Sequence, residues 1–145
     1  RENKRKEIER RRILGLSPLC KLVILKQHVF RNTNPAIFGV KVEAGKLVQR
    51  MQMIDEFGER IGKIKMMQSE NKSVEEAAEG QELAISVPGV NYERKIGDKN
   101  FLYSEITAAE FKNFKKNKDL LSTNELRILQ EIAQIKKREK ADWGK

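Results

Sequence analysis

The pattern of apolar and polar positions divides the chain into three parts. Residues 1–14 are charged helix formers in which only Ile8, Ile13 and Leu14 are apolar. They predict a helix with little face to bury, which is either a solvated, frayed end or the last turns of a longer connecting helix. The Gly15-x-Ser17-Pro18 sequence ends that helix. Short apolar runs then alternate with turn signals up to about residue 106, and helical periodicity returns in residues 107–145.

The middle part predicts β-strands. Turns are indicated at Asn34-Pro35, Ala44-Gly45, Pro88-Gly89 and within residues 56–59 and 70–72. A glycine inside a strand, such as Gly39, indicates a bulge or the close approach of another group to the backbone. Short strands at this spacing, with no crossover helix, predict a mainly β fold built as a small antiparallel barrel. The predicted strands are residues 20–30, 37–43, 47–54, 60–68, 81–87 and 101–106.

Two helices are predicted after the barrel. The segments 107–110 and 122–125 both match the capping box, with a hydroxyl at the N-cap and glutamate three residues later. The first helix presents Ala108, Phe111 and Phe114. We expect most of the stripe on the second helix to cover the barrel or the first helix, leaving the rest for a partner peptide. That stripe consists of Leu126, Leu129, Ile132, Ala133 and Ile135.

The formal net charge of +9 is unevenly distributed. Residues 1–12 and residues 107–145 each carry a net charge of +4, whereas residues 13–106 carry only +1. Phosphate binding needs clustered lysine and arginine, so the nearly neutral middle argues against a barrel that grips a nucleic-acid backbone as a whole. It allows recognition of a small terminal group in a local pocket. The basic residues 136–140 are either a solvated face or a contact to RNA phosphate.

No group of residues predicts an enzyme. Cys20 and His28 are the only residues of their types, which excludes an internal disulfide, a multi-cysteine zinc site and a histidine cluster. We expect Cys20 to be a buried small hydrophobe and His28 to border the barrel surface or an RNA contact. Residues 58–63 lack the spacing of a phosphate loop, and Ile64 stands where Ser or Thr is needed, so a hairpin turn is predicted. No apolar run reaches membrane-spanning length, and a reducing cytoplasm is expected.

Four segments, in order, resemble one known family. Residues 31–45 read Arg-x-x-Asn-Pro-x-Ile-x-Gly-Val-x-Val-x-x-Gly. This is similar to the start of the C-terminal domain (domain IV) of archaeal and eukaryotic translation initiation factor 5B, the homologue of bacterial initiation factor two. Residues 18–25, 61–65 and 77–85 are similar to further segments of that domain, the last being close to its Ala-x-x-Gly-Gln-Glu-Val-Ala-Ile. The helical tail follows in the family's order.

The resemblance implies an organisation for the chain. Residues 1–15 would end a long inter-domain linker helix, residues 16–106 would form a barrel of the elongation-factor domain-two type, and residues 107–145 a helical pair. Because the chain starts at Arg1 without an initiator methionine, we expect a piece of a longer protein. The parent would be a GTPase that holds GTP and Mg in an N-terminal domain, so neither cofactor, nor any metal, nor any hydrolysis is expected here.

The resemblance also implies a function in translation initiation. The domain would bind the methionyl-acceptor (CCA) end of initiator tRNA on the ribosome and help both subunits join. Val40, Leu83 and Phe38 would line an apolar slot, with Gly39 giving access to the backbone; the alternative for Phe38 is a place in the core. Phe30, Arg31 and Lys41 are candidates to meet the terminal nucleotides.

The full predicted pocket set combines one strand, one loop and a second strand. Residues 68–72 depart from the bacterial loop, which is rich in Lys, Arg and Tyr, because only Lys72 is basic. The set comprises Arg31, Phe38, Gly39, Val40, Lys41, Gln68, Ser69, Asn71, Lys72, Glu82, Leu83 and Ala84.

A second predicted surface lies on the last helix. In the family the C-terminal helices receive the tail of initiation factor 1A, and Ile128, Ile132, Lys136 and Lys137 are predicted to do so here. An alternative function is a protein-interaction module that docks only through these helices, without a role for tRNA. A general RNA-binding barrel is a third interpretation, which the nearly neutral middle of the chain disfavours.

Overall fold

Alternating apolar residues in the middle of the chain fold into one curled sheet. A computed structural model describes residues 18–33 and 35–143; the predicted helix at residues 1–14, and Asn34 in a predicted turn, lie outside them. The described residues form an antiparallel half-barrel with its strands in the order β4-β3-β9-β1-β2-β8-β5-β6, and β7 pairs with the far end of β2. The strands are β1 (Cys20–Arg31), β2 (Ala36–Val48), β3 (Gln52–Asp55), β4 (Arg60–Lys63), β5 (Met66–Ser69), β6 (Lys72–Ser73), β7 (Glu76–Ala78), β8 (Glu82–Val87) and β9 (Phe101–Ser104). The helices are α1 (Tyr92–Lys95), α2 (Ala108–Lys116) and α3 (Thr123–Glu139), with a 3-10 turn at Lys118–Leu120.

The barrel interior follows from the two-residue period of the strands. Along β2, Phe38, Val40 and Val42 are fully buried, while Lys41 and Glu43 between them are exposed. The even positions therefore face the core. They pack with residues of the same kind from the other strands, among them Leu22, Ile85 and Leu102. The predicted antiparallel, mainly β fold is confirmed.

Gly45 bends β2 instead of ending it. The strand was predicted to stop at residue 43, before an Ala44-Gly45 turn, but it continues to Val48. Gly45 has φ of +80°, and a Cβ at this position would lie 1.9 Å from the Leu19 carbonyl oxygen. The following residue, Lys46, donates its N–H to that oxygen at 2.9 Å. Beyond the bend β2 pairs with β7, so the predicted turn is wrong and a glycine-dependent bend takes its place.

Two other predicted strands are each divided by a turn. Residues 47–54 contain the end of β2, a turn at residues 49–51 and β3, and Arg50 takes φ of +68° in that turn. Residues 60–68 contain β4 and β5, because Ile64 donates its N–H to the Met51 carbonyl at 3.1 Å and redirects the chain. The predicted strands at residues 20–30, 81–87 and 101–106 are confirmed with small shifts of boundary.

The β3–β4 hairpin accounts for the glycine-rich segment at residues 58–63. The Asp55 carboxylate accepts the N–H groups of Phe57 at 2.8 Å and Glu59 at 2.9 Å, and Gly58 adopts φ of +90°. A buried side chain therefore organises the turn, as Asp commonly does. The prediction of a hairpin, rather than a phosphate loop, is confirmed.

The C-terminal helices close one side of the sheet. Both predicted capping boxes form, at Thr107 and at Ser122. The apolar stripe of α3 packs with α2 and the outer surface of β1, β2, β3 and β9, so the prediction that it covers the barrel is confirmed. This second apolar cluster, separate from the interior one, contains Leu19, Ala44, Ile54, Tyr103, Ile106, Phe111, Phe114, Ile128, Leu129, Ile132 and Ile135.

Polar contacts also hold α3 against the sheet. The Lys21 ammonium lies 2.8 Å from the Glu131 carboxylate and 4.5 Å from the centre of the Phe101 ring. The Tyr103 hydroxyl donates to the same carboxylate at 3.3 Å. Burial, and then the negative charge of Glu131, raise the pKa of Tyr103, so that its hydroxyl stays a donor.

Glu105 forms a second link between the sheet and α3. Arg60 reaches its carboxylate at 2.9 Å and Lys136 at 3.4 Å. Burial alone would raise the pKa of the Glu105 carboxyl, but the Arg60 hydrogen bond and the Lys136 charge outweigh it and lower the pKa below its ordinary value. The ionised form of Glu105 is therefore the one the fold stabilises.

Candidate nucleic-acid interface

The strand alternation divides the predicted pocket residues between two faces of the sheet. Gly39 is paired with Ala84, which is paired in turn with Gln68; Lys41 is paired with Glu82. Lys41, Gln68 and Glu82 are exposed and Ala84 is half-buried. We call these five residues the outer row. The structure thus brings them together across β2, β8 and β5 in one outward-facing row, in which Gly39 itself is buried.

The other half of the predicted set lies in the core. Phe38 and Val40 are fully buried and Leu83 is 5% exposed. Val40 and Leu83 are cross-strand partners that both face inwards, and the Phe38 ring packs 5.1 Å from the Tyr92 ring. The slot predicted between these side chains is therefore closed by packing, whereas the alternative that placed Phe38 in the core is confirmed.

The close approach predicted at Gly39 is made by the protein itself. The pairing of β1 with β2 slips between Leu25 and Val29, so residues 26–28 form a bulge. A Cβ on Gly39 would lie 2.9 Å from the Cβ of His28. The bulge thus covers the glycine, and the predicted access of a ligand to its backbone is not available from this side.

The same bulge exposes an aromatic and basic edge. β9 pairs only with residues 21–23 of β1, and the end of β1 beyond the bulge is exposed. Phe30 is 64% exposed, and its ring stacks with that of His28 at 6.4 Å between centroids. We call His28, Phe30 and Arg31 the β1 edge. An exposed ring beside a guanidinium is the kind of surface on which unpaired bases stack.

The predicted loop at residues 68–72 forms the opposite border of the outer row. Glu70 and Asn71 have φ of +53° and +66°, which makes a two-residue hairpin turn between β5 and β6. Asn71 and Lys72 are exposed, but Ser69 accepts a hydrogen bond from Gln81 at 3.3 Å. Three strand spacings separate β5 from β1. At about 4.8 Å each, β5 lies roughly 14 Å from β1 across the sheet.

The predicted partner surface on α3 is largely internal. Ile128 and Ile132 are fully buried in the second apolar cluster, because residues four apart lie on the same helical face as the rest of the stripe. Lys136 is held by Glu105, so of this set only Lys137 is an exposed side chain. Ile128 and Ile132 are therefore not accessible to a partner in this structure, and the Lys136 ammonium is already engaged by Glu105.

The described residues contain neither a metal-binding cluster nor a membrane-spanning helix. Residues 18–33 and 35–143 contain no group of three or more His, Cys, Asp or Glu side chains placed to hold a metal ion. Cys20 is fully buried, as predicted, and burial raises the pKa of its thiol. In the same residues, no helix has the length and apolar character needed to cross a membrane.

Comparison with known proteins relates this chain to translation factors. Residues 18–103 match the family model described as Elongation factor Tu domain 4. The chain is 36% identical over its whole length to the probable translation initiation factor IF-2 of Methanoculleus marisnigri, and 37% identical over 94% of its length to that of Methanopyrus kandleri. It spans about a quarter of the length of these curated relatives, 25% and 24% respectively.

A solved structure shows the same fold. The crystal structure of GDP-bound aIF5B from Aeropyrum pernix matches 97% of this chain, and 24% of its own, with a TM-score of 0.85 and 36% identity. The fold and these matches thus define a β-barrel domain of the translation-factor class. More particularly, the chain belongs to the Elongation factor Tu domain 4 family and corresponds to the C-terminal domain IV of the archaeal factor aIF5B, or IF-2.

Proposed function

We propose that this domain acts in translation initiation by binding the methionyl-acceptor end of initiator tRNA. The observation that carries the proposal is the β1 edge, where Phe30 is 64% exposed beside Arg31. Exposing an apolar ring to water is unfavourable, and a base stacked on Phe30 would remove that ring surface from water. The relatives are translation initiation factors, which supports an RNA end as the ligand.

The outer row suits the rest of such a ligand. A few unpaired nucleotides span the roughly 14 Å between β1 and β5. Lys41 and Lys72 are positive and exposed, and neither is in an ion pair among the described residues, so they are available to phosphates. Since Val40 and Leu83 are in the core, the methionyl group is proposed to lie on the surface against Ala84 and the exposed Met66.

Protection of methionyl-tRNA against ester hydrolysis tests this proposal. The folded chain should slow hydrolysis, and uncharged tRNA should compete more weakly than methionyl-tRNA. Phe30→Ala should weaken the protection roughly 5- to 150-fold, which corresponds to the 1–3 kcal/mol of one base stack. Phe57→Ala is the matched control, because Phe57 is 58% exposed on the β3–β4 hairpin, away from the outer row. Equal effects of the two variants, or no protection by the folded chain, would contradict the proposal.

The wider role is proposed for the parent protein. There the domain would work on the ribosome and promote joining of its subunits, while GTP and Mg would be bound by another domain. Docking of initiation factor 1A is proposed on the exposed basic side chains of α3, Lys137 and Arg138, in place of the buried isoleucines. Lys137→Glu should weaken binding of an acidic tail peptide, whereas Lys112→Glu on α2 should not. Peptide binding without any ester protection would favour the alternative, a module that docks only through its helices.

A further inference from the structure

A basic cleft lies at the other end of β5 from the β5–β6 turn. It has a volume of about 410 Å³ and forms where the turn between β2 and β3 meets the connection from β4 to β5. None of the predicted pocket residues and no residue of the β1 edge belongs to it, although Met66, against which the methionyl group is proposed to lie, is one of its walls. Its walls are Gln49, Arg50, Lys63, Ile64, Lys65, Met66 and Pro88, three cations and no acidic residue.

The local backbone directs all three cations to solvent. Ile64 is fully buried, so its two neighbours Lys63 and Lys65 share the opposite, exposed side of this extended segment. Arg50 occupies the left-handed region with φ of +68°, a conformation that non-glycine residues rarely adopt. Its N–H donates to the Ile64 carbonyl at 2.9 Å, which fastens the Arg50 turn to the lysine segment. The backbone segments that carry the three cations are therefore joined by a hydrogen bond.

These three cations are not among those that the protein pairs with carboxylates. Among residues 18–33 and 35–143, Arg50, Lys63 and Lys65 have no ion-pair partner. By contrast, Lys21, Lys46, Arg60, Lys95, Lys99 and Lys136 each lie within 3.4 Å of a carboxylate. The small net charge of residues 13–106 is thus an average over paired charges and unpaired cations, three of which form a cluster in this cleft. A sum over the sequence conceals this cluster.

The free groups of the cleft define what it recognises. The N–H groups of Arg50, Ile64, Lys65 and Met66 are all used within the protein, and the Gln49 amide donates to the Lys65 carbonyl at 2.9 Å. None of these four backbone N–H groups therefore remains to read a base edge. The three cations can pair with phosphates, and the apolar surfaces of Met66 and Pro88 can pack against the sugars between those phosphates.

We propose that this cleft binds the sugar–phosphate backbone of RNA, without regard to base sequence and without an acceptor end. The proposal goes beyond recognition of methionyl-tRNA and does not depend on it. It gives the domain a second RNA contact, on the far side of β5 from the turn that borders the outer row. Arg50, Lys63 and Lys65 supply the affinity through release of counterions from the phosphates.

The test measures binding of two labelled RNAs to this chain as a function of salt. A 12-nucleotide oligouridylate and a 12-base-pair RNA duplex carry no aminoacyl group. The cleft variant replaces Arg50, Lys63 and Lys65 by Gln. The control variant replaces Lys112, Lys116 and Lys118 by Gln, three exposed lysines on and after α2, and loses the same charge. Circular dichroism and thermal unfolding confirm that both variants are folded.

The expected results separate a local site from general charge. The cleft variant should bind at least about tenfold more weakly than the unchanged chain near 0.1 M salt, with a slope of log K against log salt smaller by about 2. The control variant should change both quantities little. Equal losses in the two variants, or binding too weak to measure at 50 mM salt in the unchanged chain, would overturn the proposal.

The same variants distinguish this proposal from the acceptor-end function. Phe30→Ala should lose ester protection yet keep its affinity for oligouridylate, whereas the cleft variant should keep ester protection and lose affinity for oligouridylate. If inorganic phosphate at equal ionic strength displaced the RNA as well as unlabelled RNA does, the cleft would be a site for a single phosphate group. That result would overturn the assignment to an RNA backbone.

Discussion

Gly45→Ala should destabilise the fold more than an ordinary glycine substitution. Gly45 lies at the bend of β2, with φ of +80°, beside Leu19 of the chain leading into β1 and 3.1 Å (from an added Cβ) from the Ile128 side chain of α3. The methyl group of alanine would lie 1.9 Å from the Leu19 carbonyl oxygen, a distance that no real contact allows. The backbone must therefore move, and the hydrogen bond from Lys46 to that oxygen is lost.

The magnitude follows from two separate costs. A non-glycine residue in the left-handed region costs about 1–2 kcal/mol. Leaving the Lys46 N–H and the Leu19 carbonyl unpaired costs about 1–3 kcal/mol more. Gly80→Ala isolates the first cost, because Gly80 has nearly the same φ, +84°, and an added Cβ has no neighbour within 4 Å. Gly45→Ala should thus exceed Gly80→Ala by about 2 kcal/mol, a large share of a typical stability of about 5–15 kcal/mol.

Urea unfolding, followed by circular dichroism, measures both variants against the unchanged chain. The midpoint should fall in the order unchanged chain, Gly80→Ala, Gly45→Ala, and the unfolding temperature of the last two should differ by roughly 4–8 °C. An equal loss in the two variants would refute the reasoning, because it would show that the Leu19 carbonyl accommodates the methyl group without cost.

Three further perturbations test other parts of the structure. Ile132→Ala should cost about 2–5 kcal/mol in urea unfolding, because it opens a cavity between α3 and the sheet; a loss below 1 kcal/mol would contradict its burial. Glu105→Gln should destabilise at pH 7, and the difference should disappear as the pH falls below about 4, since a carboxyl whose pKa is lowered by Arg60 and Lys136 stabilises the fold only while ionised; a pH-independent difference would contradict this. Cys20 should react with a thiol reagent only at the rate of unfolding, because burial both covers it and raises its pKa; rapid labelling of the folded chain would refute that.

The elements predicted from sequence were those with a strong local signal. The capping boxes at Thr107 and Ser122 need only residues three apart, and both form. The bend at Gly45 could not be predicted, because glycine after a strand signals a turn unless the neighbouring chain is known. β7 was missed because Glu76–Ala78 has a single buried residue, an alanine, and low β-propensity. The strand forms because it pairs with the end of β2.

The sequence identified the segments that form the candidate site but not which of their side chains face outwards. Sequence resemblance selects a stretch such as residues 38–41, and the strand register shows that Phe38 and Val40 point inwards and Lys41 outwards. The alternation itself is readable from the sequence, and applying it would have separated the two groups. The cleft around Arg50 gives no local signal, because it joins three turns that are distant along the chain.

The second apolar cluster, beneath α3, determines where this protein can be truncated or recombined without loss of its fold. Leu19, Ala44, Ile54 and Tyr103 come from the sheet, but their buried surface is completed by the two C-terminal helices. A chain cut after Ile106 would display that surface to water, and we expect such a fragment to self-associate. Loss of activity in it would therefore report misassembly and not a missing docking helix. A recombinant protein that keeps this barrel must therefore also keep its two C-terminal helices.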